Sequence, residues 1–145
     1  MILPLLLSAA IIASPAAPAQ TCDNPLAKSI YAAGFRGDNV KEAWAIAMRE
    51  SGGRPDAISS TGDYGVFQFN RAAHHKQDWW DTNRLLTRDY NVKVAYRVSK
   101  GGKWWGPWDM SGKGEWLGRY TPAYVGAKYD YWHDRFPRKC EALAR

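Results

Sequence analysis

Two acidic residues, Glu50 and Asp63, have a sequence context in which a carboxyl group could act on a substrate. Glu50 continues an apolar spacing that runs through Val40, Ala43 and Ala47, which predicts that it lies on the buried face of a helix near its C-terminal end. Burial and the negative end of the helix dipole both favour the protonated form of a carboxyl group. A carboxyl group in that form can donate a proton as a general acid. On spacing alone, a frayed helix end with a solvated Glu50 is the alternative.

The elements predicted around these two residues are mostly helical. Helix boundaries follow from caps, proline at a first turn, and glycine at an end. The predicted helices run from Asn24-Pro25 to Gly34, from the cap Asp38 to about Glu50, from Arg88 to Lys100 and from Tyr124 to Arg135, with a strand or irregular stretch at Asp63–Asn70. Trp44 and Trp132 have helical spacing that is typical of the core. The expected class is mainly α, an α+β domain with a small β or irregular element.

The residues from Glu50 to Asn70 carry two known signatures. Glu50-Ser51 followed by Ala57–Gln68 resembles SLT-type lytic transglycosylases, in which a helix-ending Glu-Ser precedes Ala-x-Ser-x-x-Gly-x-x-Gly-Leu-x-Gln. Ser60-Thr61 and Asp63–Asn70, which Gly62 separates, are similar to Ser-Thr-Asp-Tyr-Gly-Ile-Phe-Gln-Ile-Asn of animal c-type lysozymes. Both families share the lysozyme-like fold. The resemblance implies a glycosidase that cuts the β-1,4 bond between N-acetylmuramic acid and N-acetylglucosamine of peptidoglycan, with Glu50 as the acid.

Asp63 distinguishes between two mechanisms. The resemblance to c-type lysozymes implies that Asp63 is a second catalytic carboxylate, which makes a retaining muramidase possible. SLT enzymes have a small apolar residue at this position and form an anhydro product with one carboxylate. Asp63 could instead be a turn-capping side chain, since Asp is common in turns. The main hypothesis is the hydrolase; a lytic transglycosylase and a non-catalytic wall-binding module are the alternatives.

Several further residues are candidates for substrate binding. The resemblance implies that Ser51 and Tyr64 belong to the site and that Gln68 and Asn70 line the cleft, although either amide could be a satisfied polar group at the core edge. Strict strand alternation would separate Asp63 from Gln68, so a break in period is expected at Gly65.

Aromatic residues supply the remaining candidates. Trp104, Trp105 and Trp108 occur among glycines and a proline, which predicts a loop whose rings either stack on sugars or cover the core. Tyr124, in a segment that resembles Thr-Pro-x-Tyr-Val of SLT enzymes, is expected to reach the acid. The Ala-Tyr-Asn-Ala-Gly motif of that family is missing, a departure that favours the hydrolase over the transglycosylase.

Charge and composition restrict the partners. The net charge of +6 favours a polyanionic partner. The basic residues are scattered and show no nucleic-acid fold signature, so bacterial wall is favoured over nucleic acid. His74-His75 has no acidic or cysteine partner at ligand spacing, so neither a metal nor a cofactor is expected. A monomer is expected.

The ends of the chain predict export. Residues 1–19 resemble a signal peptide with a small-x-small site, although no basic residue precedes Lys28, which an incorrect start or an uncleaved anchor would explain. Residues 20–145 are then the catalytic domain, secreted or associated with the cell wall, and not stably inserted in a membrane once the leader is removed. Export would allow a disulfide between Cys22 and Cys140; two free thiols are the alternative.

Overall fold

The computed structural model describes residues 21–108 and 129–145 of the chain. The predicted leader at 1–19, and Tyr124, lie outside the described residues. In chain order the elements are the helices α1 (Pro25–Ala33) and α2 (Asp38–Ser51), the strands β1 (Asp63–Tyr64) and β2 (Phe69–Asn70), the helices α3 (Arg71–His74), α4 (Thr82–Leu85) and α5 (Arg88–Val98), and the 3-10 helices Gly106–Trp108 and Arg138–Ala144. Residues 129–133 are also helical, within the last helix that the sequence predicts.

Helix α1 begins and ends where its local sequence predicts. The Asn24 side chain accepts a hydrogen bond from the Ala27 amide at 2.9 Å, and Pro25 occupies the first helical position, where no backbone donor is needed. Gly34 ends the helix in the left-handed conformation, and its N–H donates to the Tyr31 carbonyl at 3.1 Å. Both boundaries are therefore local properties of the sequence.

Helix α2 passes through the centre of the core. The predicted apolar face is confirmed, because Val40, Ala43, Trp44 and Ala47 are buried and Met48 is half-buried against the core. The helix begins one residue earlier than predicted, with Asp38 inside it, and ends when Gly52 takes the left-handed conformation. Glu50 therefore lies in the last turn of α2, directly before the residues that end the helix.

Helices α1, α2 and α5 pack together around one core, and the C-terminal 3-10 helix packs on α1 and α2. Helix α5 ends at Val98, two residues before the predicted end, because Lys100, Gly101 and Gly102 all have positive φ. Trp44 is in the core as predicted, and the half-buried Trp132 packs edge-on against it with ring centroids 6.0 Å apart.

The small β element is an antiparallel hairpin. Asp63 pairs with Asn70 and Tyr64 with Phe69, which leaves a tight turn at residues 65–68. Gly65 in this turn has a φ of 75°, so the strand period breaks where the sequence predicts. The predicted class, mainly α with a small β element, is confirmed. Among the described residues, no helix has the length and apolar character needed to span a bilayer.

A disulfide joins Cys22, just before α1, to Cys140 in the C-terminal 3-10 helix, as the sequence predicts. Both cysteines are buried in the core, 118 residues apart in the chain. The bridge holds the C-terminal segment, with Phe136 packed on Trp44, against α1 and α2.

We expect replacement of both cysteines by alanine to lower the free energy of unfolding by about 2–5 kcal/mol, because the unfolded chain regains the entropy of a very large loop. Urea unfolding followed by tryptophan fluorescence measures this change, and the wild-type chain kept in reductant is the control. An unchanged midpoint for the double variant would show that the bridge contributes nothing to stability.

Candidate active site

Glu50 lies in the last turn of α2, next to a buried arginine. The Glu50 side chain is 26% exposed, whereas that of Arg49 is only 7% exposed. Nη2 and Nε of Arg49 donate to Oε1 of Glu50 at 2.6 and 3.1 Å. Glu50 is therefore half-buried in the last turn of α2 and forms an ion pair with Arg49. Arg49 was not predicted, since adjacent residues on a helix do not normally face each other.

Ser51 connects helix α2 to the hairpin. Its buried hydroxyl oxygen lies 2.7 Å from the Val66 carbonyl oxygen in the hairpin turn and 3.2 Å from that of Ala47, one helical turn earlier. This contact positions the end of α2 against the turn. The structure therefore gives Ser51 a positioning contact, and its predicted contact with substrate stays a prediction.

Asp63 opens β1 and receives hydrogen bonds on both carboxylate oxygens. Ser59 and Thr61 donate their hydroxyl groups to Oδ2, each at 2.5 Å, and the Asn70 amide donates to Oδ1 at 2.8 Å. Partial burial raises the pKa of the Asp63 carboxyl, but these three hydrogen bonds outweigh it and hold the pKa below its ordinary value. Asp63 is thus held as an anion.

The other hairpin candidates all make internal contacts. Gln68 has a positive φ of 53°, and its Nε2 donates to the Gly65 carbonyl at 2.8 Å. Asn70 accepts from the Ala73 amide and so caps α3. The Tyr64 ring packs edge-on against Trp80. These contacts give the three residues structural roles, and their contacts with sugar stay predictions.

Asn91 lies fully buried under the hairpin turn and was not predicted. Its Oδ1 accepts from the Phe67 amide at 2.9 Å, and its Nδ2 donates to the carbonyls of Tyr64 and Leu85 at 3.1 and 2.8 Å. A Cβ on Gly65 would collide with this amide, so the turn needs glycine there. The sequence signal that could have identified Asn91 was an amide side chain on the apolar face of α5, next to Val92.

Residues 101–108 form a segment that is hereafter called the tryptophan loop. Its three tryptophans have different surroundings. Trp105 is buried and stacks on Phe35 with ring centroids 5.8 Å apart. Trp108 is also buried, and its Nε1 donates to the Phe67 carbonyl at 2.8 Å. Trp104 is 42% exposed and lies against Gly106. Of the three rings, Trp104 is therefore the one available for stacking on a sugar.

The tryptophan loop follows α2 along its length. Gly102 packs against Asn39 at the start of the helix, and the Trp105 indole donates to Glu42 Oε2 at 3.2 Å. At the far end, Nη2 of Arg49 donates to the Trp108 carbonyl at 2.9 Å. Burial raises the pKa of Glu42, against the lowering effect of the Trp105 hydrogen bond. The loop is thus fixed to α2 at both ends.

The histidine pair has no metal-site geometry. His74 is half-buried beside Phe69 and Trp79, and this burial lowers its pKa. Within residues 21–108 and 129–145, no group of three or more His, Cys, Asp or Glu side chains could hold a metal ion.

Comparison with protein families matches residues 27–110 to the model described as a lysozyme like domain. The chain belongs to this family. The matched residues include Glu50, Asp63, Asn91 and the tryptophan loop. Membership of this family indicates an enzyme that cleaves peptidoglycan. Comparisons with curated proteins and with solved structures gave no significant match.

Replacing Asn91 by Ala should lower the free energy of unfolding by about 3–5 kcal/mol, because a buried N–H and two buried carbonyls lose their partner. Denaturant unfolding measures this loss. Asn83→Ala, at an exposed position in α4, is the matched control and should change stability by less than about 0.5 kcal/mol. A similar loss in both variants would contradict the anchoring role of Asn91.

The lowered pKa of Asp63 determines how its contribution to stability changes with pH. Because its folded-state pKa is lowered, its stabilising effect is present above its unfolded pKa and is lost as the pH falls through the lower folded value. Asp63→Asn should therefore destabilise the protein at pH 7 by about 1 kcal/mol, the side chain being partly exposed, and by less below pH ~3. Thermal unfolding at both pH values tests this, with the exposed Asp56→Asn as control. If the loss of stability in Asp63→Asn is as large in acid as at pH 7, the hydrogen-bonded anion at Asp63 is contradicted.

Proposed function

We propose that this lysozyme-like domain is a muramidase that hydrolyses the β-1,4 bond between N-acetylmuramic acid and N-acetylglucosamine. One observation supports it most: the two candidate carboxyl groups have different surroundings. Glu50 is half-buried at a helix end, where Arg49 pairs with its Oε1, whereas Asp63 is hydrogen-bonded on both oxygens, which lowers its pKa and favours the anion. A retaining muramidase needs two carboxyl groups with separate roles, one that gives a proton and one that stabilises or traps the sugar cation.

In the proposed reaction, Glu50 gives its proton to the glycosidic oxygen, and the electron pair of the broken C–O bond leaves with that oxygen. Asp63 stabilises or traps the oxocarbenium-like carbon, and water, deprotonated by Glu50, completes hydrolysis with retention. Trp104 supplies an exposed ring for stacking on a pyranose. No cofactor is required for these steps.

A lytic transglycosylase is the second candidate, and one observation favours it. Both oxygens of Asp63 accept hydrogen bonds from nearby side chains, from Ser59 and Thr61 just before the hairpin and from Asn70 within it, as expected of a structural anchor. In that case Glu50 acts alone, and the substrate's own groups close an anhydro product.

We further propose that residues 20–145 form the catalytic domain of an exported, monomeric protein whose leader is residues 1–19. The Cys22–Cys140 disulfide supports this, since such bonds persist in oxidising compartments. The net charge of +6 is complementary to an anionic wall.

Glu50→Gln should reduce wall lysis about 100-fold or more while wall binding is retained, because the amide keeps the shape and loses the transferable proton. Turbidity of a wall suspension measures lysis, and sedimentation with walls measures binding. Glu141→Gln, which removes the partner of Lys41, is the control and should lyse at the parental rate. Undiminished lysis by the Glu50 variant would refute a catalytic role, and no lysis by the parent would favour the non-catalytic binding module.

Mass spectrometry of digested wall separates the two enzymatic candidates. The muramidase is expected to leave reducing N-acetylmuramic acid ends. Products that lack the mass of one water and end in 1,6-anhydromuramic acid would exclude the hydrolase and establish the transglycosylase.

A further inference from the structure

Arg49 carries a charge that is almost completely buried at the end of α2. Its side chain is 7% exposed, and a buried charge is costly unless it is paired and hydrogen-bonded. It is paired with Glu50 and also donates to the Trp108 carbonyl at 2.9 Å. Buried ion pairs contribute little net stability, so stability alone does not explain this arrangement.

The geometry of the pair distinguishes the two oxygens of Glu50. Nε and Nη2 of Arg49 both donate to Oε1. Two donors on one oxygen fix the rotation of the carboxyl group and give Oε1 surroundings that differ from those of Oε2. Because adjacent residues on a helix do not face each other, both side chains must bend toward one another to form this contact.

The same guanidinium group reaches the tryptophan loop. Nη2 of Arg49 bonds both Oε1 of Glu50 and the carbonyl of Trp108. The Trp108 indole in turn donates to the Phe67 carbonyl in the hairpin turn at 2.8 Å. Arg49 therefore links the acid to both elements that pack beside it.

We propose that Arg49 is the positioning residue of the acid, holding Oε1 so that Oε2 is the oxygen that delivers the proton. This inference rests on the proposed role of Glu50. When the proton leaves Oε2 for the glycosidic oxygen, negative charge develops on a carboxylate whose other oxygen already receives two charged N–H groups. The orientation of the acid then depends on Trp108 being in place.

The test uses the full chain with Arg49→Met and Arg49→Lys, and measures kcat and KM on soluble peptidoglycan fragments. Arg49→Met should lower kcat about tenfold or more with KM within about threefold, since the lost contact acts on the transition state and not on binding. Arg49→Lys restores the charge but not the paired donors, and should recover only part of kcat. The control is Arg97→Met, which breaks an exposed Arg–Asp pair in the last turn of α5 and should keep the parental kcat.

Two measurements make the outcome decisive. Thermal unfolding shows whether each variant is folded. If Arg49→Met is not folded, the comparison uses the folded Arg49→Lys variant. A parental kcat in Arg49→Lys then overturns the proposal. The double variant Arg49→Met/Glu50→Gln should be no slower than Glu50→Gln alone, since the two residues act as one unit. A double variant that is slower still would contradict that coupling.

Failure of this proposal is distinguishable from failure of the proposed function. If Glu50→Gln is inactive while folded Arg49→Met keeps a kcat within about threefold of the parent, the role of Arg49 is wrong and that of Glu50 stands. If Glu50→Gln remains fully active, the proposed function fails, and the role of Arg49 fails with it.

Discussion

The buried amide of Asn91 makes three hydrogen bonds to backbone groups of Tyr64, Phe67 and Leu85. Two of those groups lie in or beside a tight turn that has too few strand bonds to hold itself, since each strand is two residues long. The contacts that join the hairpin to its neighbours meet this same turn: Ser51 joins α2 to Val66, and Trp108 joins the tryptophan loop to Phe67. One amide on α5 therefore sets the place of the hairpin against both the acid-bearing helix and the loop.

Helix α2 is the second constraint, because it carries contacts at both ends of the tryptophan loop. Glu42 accepts from Trp105 near the start of the helix, and Arg49 donates to the Trp108 carbonyl at its end. The buried rings of Trp105 and Trp108 fix the loop in the core, which leaves Trp104 exposed beside them. The loop is thus part of the packed structure and also presents one ring to solvent.

Local chemistry explains what the sequence could predict. The caps at Asn24 and Gly34, the apolar face of α2 and the break at Gly65 depend on residues close in the chain, and all are confirmed. The partner of Glu50 could not be predicted in this way, because it depends on how two long side chains bend after the loop packs on them. The same holds for Asn91, whose three partners lie up to 27 residues away in the chain. Burial of two of the three loop tryptophans also follows from tertiary packing, which composition does not reveal.

In the proposed mechanism, Glu50 donates the proton to the bond that is cut. A crystal structure of the Glu50→Gln variant with a bound peptidoglycan oligosaccharide tests it most directly. A glycosidic oxygen is expected within hydrogen-bond distance of the amide atom that replaces Oε2 in the variant, with the hairpin carrying Asp63 beside the same sugar. An oligosaccharide bound with its glycosidic oxygens out of reach of that amide would show that Glu50 is not the proton donor.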